Sequence, residues 1–214
     1  MQKVSHTHLD HYGGLLSIAE AVPIQRLLVP VGVLTEVQAE PHGSLGFMLR
    51  ALQAQGTRIE TVNHGSFRDV APGVRLLFWQ PLGPEAGHND SSLVMQMEHQ
   101  AVRFLFAGDL EKAGEAALLQ VPGFMPRTDI LKVPHHGSST SSTRAFLNAL
   151  APRDAIISVG ERNRFRHPSP RVVDRYEQIQ SRVWRTDQQG AVCVCSTGLS
   201  YGVQAKKENA SAGL

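Results

Sequence analysis

Cysteine is almost missing from this chain: 214 residues carry two, Cys193 and Cys195. Both lie in "AVCVCS", an alternating apolar run in which side chains at i and i+2 share one face of a strand. Such neighbours rarely bridge, and CxC without further thiols is a weak metal signal. A disulfide-stapled fold and a thiolate metal cage are therefore set aside, and strand packing is left. Long apolar runs are also missing: nowhere do 18 uncharged apolar residues stand together, so no membrane-crossing helix is expected in this stretch. The opening residues lack the basic, apolar, small-residue layout of a secretory signal. Nor is there a dense block of one charge. Lys and Arg number 21 against 19 Asp and Glu, and the net charge of +2 permits a polyanionic partner without demanding one. No internal repeat or inter-domain linker stands out.

What is present suits one globular domain. The chain is 42% hydrophobic and 19% charged, enough for a large core, and its length lies within the roughly 100–250 residues that single cores serve. The domain is expected over 1–205, and "KKENASAGL" (206–214), with no apolar period, reads as a frayed tail.

Helices are expected at 15–22, 42–56 (closing at Gly56), 110–121, 138–152 (Ser/Thr cap, proline stop) and 169–181, with Pro170 near its start. Strands are expected at 25–30, 57–62, 74–81, 91–99, 102–109, 128–134 and 154–160, then in "RVWRTD", "GAVCVCS" and "LSYGVQA". Residues 91–99 and 102–109 read as a hairpin through "HQA". "MQKVSH" is a strand remnant that runs directly into polar residues, so the chain is expected to begin inside a domain. Mixed strands and helices with antiparallel pairs give an α/β (α+β) fold of two packed sheets covered by helices, a four-layer αββα sandwich.

The unusual polar residues collect just past apolar strands. "SHTHLDHYGG" (5–14) places His6, His8, Asp10 and His11 after the first strand. Asp109 ends "FLFAGD", His135 and His136 end "ILKVPHHG", and His167 follows "IISVGERNRFR". Strand ends on one edge of a sheet bring distant positions into one cleft. Imidazole nitrogen and carboxylate oxygen suit Zn2+, Mn2+ and Fe, and an HxHxDH turn can aim His6 and His8 at one ion and Asp10 and His11 at another. Two ions roughly 3.5–4 Å apart need a bridging group, which Asp109 can supply, and such a pair lowers the pKa of a shared water toward ~7. The chemistry indicated is hydrolysis.

These residues resemble a known family. "SHTHLDHYGG" is similar to the HxHxDH signature of the metallo-β-lactamase fold superfamily. "HNDSSLVMQM", "FLFAGDLE", "DILKVPHHGSSTSS" and "RNRFRHPSP", in that order, resemble the ComEC-like hydrolase domain at the C-terminal end of DNA-internalisation competence proteins. The resemblance covers nearly the whole chain. It implies His6 and His8 at a first metal, Asp10 and His11 at a second, and Asp109 bridging. His135 is the expected further ligand, with His136 near the scissile phosphate and the reverse assignment open; His88 in "GHNDSS" stands where another ligand is expected. It further implies two divalent ions, Zn2+ or Mn2+, with Asp10, His136 and His167 as catalytic groups and Ser138, Arg164 and Arg166 at the substrate. Lys132, Arg144 and Arg162 join the last two as a candidate basic rim.

The function implied is phosphodiesterase or nuclease action on DNA during uptake, beside the membrane channel portion of a longer protein and outside the cytoplasm. Alternatives are a free-standing hydrolase of a small phosphoester or thioester, and a degenerate docking domain. Family members carry strands with "DVGQGD"-like and "DGG"-like segments before the histidine motif; this chain starts after them, so those N-terminal strands are expected to be missing from the inner sheet.

Overall fold

The computed structural model describes residues 1–206. In chain order the elements are β1 (Gln2–Lys3), α1 (Leu9–Tyr12), α2 (Leu15–Ala21), β2 (Arg26–Pro30), α3 (Val31–Ala39), α4 (Ser44–Ala54), β3 (Arg58–Val62), β4 (Phe67–Ala71), β5 (Val74–Trp79), β6 (Val94–His99) and β7 (Val102–Phe106). There follow α5 (Lys112–Leu119), β8 (Ile130–Lys132), α6 (Arg144–Leu150), β9 (Asp154–Ile157), α7 (Pro170–Gln178), β10 (Arg182–Arg185), α8 (Thr186–Gln189), β11 (Ala191–Ser196) and β12 (Tyr201–Lys206). No helix among the described residues is long and apolar enough to cross a membrane.

Seven strands form one sheet in the order β10-β9-β8-β7-β6-β5-β4. Strand alternation makes both of its faces apolar, and each is covered. Leu105, Leu131, Ala155 and Ile157 point to one side, where Leu118 of α5, Phe146, Leu147 and Leu150 of α6, and Val172 and Tyr176 of α7 close over them. On the other side Leu76 and Phe78 of β5 meet Leu28 of β2 and Val62 of β3. Those belong to a parallel sheet β1-β2-β3, whose outer face packs on α2 and α4 through Leu15, Leu27, Val29, Leu45, Leu49 and Leu52. Helices, sheet, sheet and helices are thus stacked as four layers. The rest of the inner face, Phe104 and Ile130, is covered by the β11–β12 hairpin through Val194 and Tyr201. That hairpin is anchored at buried Asp154, which accepts from Tyr201 Oη at 2.7 Å, Trp184 Nε1 at 2.7 Å and Arg182 Nη2 at 2.8 Å.

The topology decides where the polar residues go. β7, β8, β9 and β10 run parallel, so the segments leaving their C-terminal ends emerge at one edge. Asp109 leaves β7 there, the Pro134–Gly137 turn leaves β8, and 158–167 leaves β9. The chain leaving β1 joins them, because Leu93 N donates to Ser5 O at 2.8 Å and Lys3 Nζ donates to Leu93 O at 2.7 Å.

The β6–β7 hairpin, the alternating cysteine strand and Pro170 at the start of α7 all stand as the sequence indicates. Both cysteines are free. Four features differ. α3 follows Pro30 through "VGVLTEVQA", a β-branched run whose propensity does not announce a helix, although Val33 docks in the core. β4 is an exposed edge strand with a register shift between Asp69 and Ala71, so its pattern never alternates. The helix expected from 138 begins only at Arg144, with Thr143 Oγ1 accepting from Phe146 N, because 138–142 is held by side chains described below. Lys206 ends β12 rather than opening a tail; the rest of the expected tail, 207–214, lies outside the described residues.

Candidate metal centre

A single carboxylate oxygen is the hub of the site. Asp109 Oδ2 lies 3.2 Å from His11 Nε2, 3.7 Å from His136 Nε2, 3.9 Å from His6 Nε2 and 4.0 Å from His135 Nε2. Asp10 Oδ2 sits 3.2 Å from His136 Nε2 and 3.5 Å from His11 Nε2. One donor atom each from Asp10, His11, Asp109 and His136 fits within 4.8 Å of the others. Alongside, His6 Nε2 faces His8 Nδ1 at 3.1 Å.

The local folding explains this convergence. Residues Leu9–Tyr12 make one helical turn after the five residues that follow β1, which brings Asp10 and His11 to the cluster. In the Pro134–Gly137 turn, His135, His136 and Gly137 take successive positive φ values of 46°, 52° and 80°. Each non-glycine residue there costs about 1–2 kcal/mol, and such strain concentrates at functional sites. Second partners set the ring orientations. His136 Nδ1 bonds Ser158 O at 2.7 Å, leaving Nε2 for the cluster, and His135 Nδ1 faces Glu111 Oε1 at 3.1 Å. Ser5 Oγ lies 2.9 Å from His11 Nδ1 and 3.2 Å from His6 Nδ1.

The donors are left open in a way that suits a cation. His11 Nε2, His136 Nε2 and Asp109 Oδ1 are buried without a hydrogen-bond partner. Buried polar atoms are nearly always satisfied, so orphans on three residues of one cluster fit a group that accepts their lone pairs. Burial would raise the Asp109 pKa, but the close approach of the His11 ring, with that of His136, outweighs it and holds the carboxyl well below its usual range. Burial, with the neighbouring His11, lowers His6 to about 3, which keeps its ring neutral and able to ligate.

The remaining expected residues spread outward. The His88 ring lies tilted beside His8 at 5.2 Å, but its Nδ1 lies 2.8 Å from Thr7 Oγ1 and 3.8 Å from Glu36 Oε2, and the side chain is 57% exposed. His167 packs edge-on to His135 at 5.7 Å, and burial followed by the charges of His135 and His136 lowers its pKa. Arg164 and His167 line a cleft of about 610 Å3 above Asp10, Asp109 and His136. Arg166 sits in the same loop at φ 56°, outside that lining. Ser138 is buried, its Oγ 2.9 Å from Thr140 Oγ1. Lys132 turns inward and donates to Val133 O, and Arg144 donates to Gln178, so neither belongs to a basic rim. Sequence reasoning missed Glu111, which holds His135, Asn89 and Thr140; its signal was an acid two residues after Asp109. Phe165, half of "RFRH", was also missed.

A family model described as "Metallo-beta-lactamase superfamily" matches residues 4–161. The chain belongs to the metallo-beta-lactamase superfamily. Among curated proteins it is similar to "ComE operon protein 3" of Bacillus subtilis (strain 168), 34% identical over 194 residues, 88% of this chain and 24% of that protein. It is also similar to "Competence protein ComA" of Neisseria gonorrhoeae, 36% identical over 104 residues, 49% of this chain and 15% of that one. The chain therefore spans a quarter or less of the length of these relatives. Among solved structures it resembles "CmlA, a diiron beta-hydroxylase from Streptomyces venezuelae", with a TM-score of 0.54 at 15% identity, covering 86% of this chain and 43% of that one. That likeness is one of fold alone. Family and donor cluster together mark a metal-dependent hydrolase domain of the superfamily.

The segment after the His135–His136 turn is fixed by a buried acid. Glu115 of α5 accepts from the backbone N–H groups of Ser142 and Thr143, while Arg175 donates to Ser141 O at 3.1 Å and Ser142 O at 2.9 Å. Tyr176 Oη lies 3.1 Å from Ser142 Oγ. Burial raises the Glu115 pKa from 4.5 to about 7, against the pull of those N–H donors and Arg175. Between these values the folded chain binds a proton that the unfolded chain has lost, so stability falls as pH rises from about 4.5 to 7 and this contribution levels off above. Glu115→Gln removes the dependence. Urea midpoints at pH 5 and pH 7.5 are expected to show wild type losing roughly 2–3 kcal/mol more than the variant across that interval. Equal losses would refute a titrating Glu115.

Proposed function

We propose that this domain is a dinuclear metal-dependent phosphodiesterase that cuts DNA during its uptake. The observation that supports this reading is the four-donor group of Asp10, His11, Asp109 and His136 with three orphaned polar atoms. Asp10, His11 and His136 would hold one ion, His6 and His8 the other, and Asp109 both, with His88 the adjacent candidate for a further bond. Zn2+ and Mn2+ both suit the set. When bound, the ions supply an activated water near neutral pH and neutralise charge on the phosphoryl oxygens.

The chain's own groups then orient the ester. His135, steered by Glu111, sits on the phosphate side, so it and His136 exchange the roles first expected for them. His167, neutral at pH 7, offers its ring N–H to a phosphoryl or leaving-group oxygen, and Arg164 at the rim pairs with an adjacent phosphate. Asp10, close to His136 yet open to the cleft, orients the attacking water. DNA as substrate is supported by the competence protein among the relatives, and the membrane portion of a longer protein is the proposed partner. Protein loaded with Mn2+ or Zn2+ is expected to cleave both DNA and bis(4-nitrophenyl) phosphate, and chelation to stop both. A metal-replete protein inactive on the two substrates would retire the proposal.

A further inference from the structure

Phe165 is among the most exposed large apolar side chains of the described residues, at 64%, and it stands on the wall of the cleft that holds Asp10, Asp109 and His136. An aromatic ring left in water beside a polar site loses the burial that normally accounts for it. Here its neighbours are chosen for stacking. The Arg164 guanidinium carbon lies 4.7 Å from the ring centroid, and the His167 imidazole lies nearly parallel at 17°, centroids 5.8 Å apart. The loop that carries them is braced from within. Asn163 donates to Gly160 O at 3.0 Å and His167 O at 2.8 Å, and accepts from His167 N at 2.8 Å. The ring is therefore displayed on a fixed turn. Leu9, which lines the same cleft, is 62% exposed, so two exposed apolar side chains border the space above the ligand cluster.

The geometry points to Phe165 as a stacking platform for an unpaired nucleobase next to the scissile phosphate, which makes the substrate a single strand or a frayed end. This rests on the phosphodiesterase reading above. A flat base has a free π-face only when it is out of the duplex stack, and aromatic side chains with arginine beside them bind such bases regardless of sequence. Arg164 adds a cation at the same point, and a base at Phe165 would place its own phosphate toward His167 and the donor group. A small phosphoester without a base would leave the ring unused.

The test compares kcat/KM with Mn2+ on an oligothymidylate and on an abasic strand of equal length with the same sugar-phosphate charge. Wild type is expected to prefer the base-bearing strand by about tenfold, the size of one base–aromatic stack. Phe165→Leu, which keeps apolar bulk without a π-face, is expected to collapse that preference toward unity, mainly through KM, and Phe165→Trp to retain or raise it. In the Phe165→Trp variant, emission from the introduced indole should be quenched by the thymidylate strand more than by the abasic one. A Phe165→Leu variant that slows both strands equally would make the ring a brace for His167 and overturn the platform, as would an unchanged preference. Metal-loaded wild type inactive on both strands would defeat the phosphodiesterase reading, and the platform with it.

Discussion

Asp109→Ala is expected to abolish hydrolysis and metal-induced stabilisation together. Among the described residues its carboxylate is the group that lies within 4.0 Å of the ring nitrogens of His6, His11, His135 and His136 alike. Removing it takes away the negative charge that sets cation affinity and the side chain placed to serve both halves of the cluster. In wild type, a divalent ion at about one hundred times its Kd should raise stability by about 2.7 kcal/mol, which for a chain of this size is roughly 5–10 °C in Tm. The variant should gain under about 1 kcal/mol at the same concentration. Its kcat/KM on bis(4-nitrophenyl) phosphate should fall by at least about a thousandfold, since bound metal contributes several kcal/mol to charge stabilisation. Asp109→Asn keeps the shape and separates the charge from the packing. A variant that retained both the Tm shift and the activity would remove Asp109 from the metal centre.

Asp109 also illustrates what the sequence makes legible. Each cluster residue directly follows an apolar run, and parallel strands carry such residues to one edge whatever their separation in the chain. The pattern sufficed for the four layers and for the gathering of His6, His8, Asp10, His11 and Asp109. It did not suffice to order His135 and His136, because neighbours in a turn point by φ, and the successive left-handed conformations that aim them are a tertiary outcome. Likewise the run 138–143 has the hydroxyls of a helix cap, but its last three residues are claimed by Glu115 and Arg175 from two other helices, and no local rule shows that. Lys132 fell outside the basic rim for a simpler reason: on a strand, orientation alternates, and its position faces the inner sheet. Phe165 was hidden because an aromatic in a strand-rich chain is usually core.

Gly137→Val is expected to unseat the site from a distance and to cost more stability than any other change proposed here. Gly137 holds φ 80°, where a β-branched residue is a genuine outlier, and an added Cβ would lie 2.6 Å from Pro168 Cβ and 3.3 Å from Pro168 Cα. Neither is the movable end of a side chain. The same glycine accepts from Ser169 N at 2.8 Å, so the segment after His167 is clamped directly onto the turn that carries His136. Left-handed strain of about 1–2 kcal/mol and overpacking of about 1–3 kcal/mol add to roughly 2–5 kcal/mol. Relief requires the two segments to part, which draws His167 away from the cleft and turns His136 off Asp109. Urea unfolding of the metal-free protein should show the lowered midpoint, and the metal-loaded variant at low temperature, still folded, should hydrolyse bis(4-nitrophenyl) phosphate at least about a hundredfold more slowly. Gly137→Ala should fall between the two. If Gly137→Val kept the wild-type midpoint and rate, the contact between the two segments would be incidental, and the placement of His136 would depend on the Ser158 hydrogen bond instead.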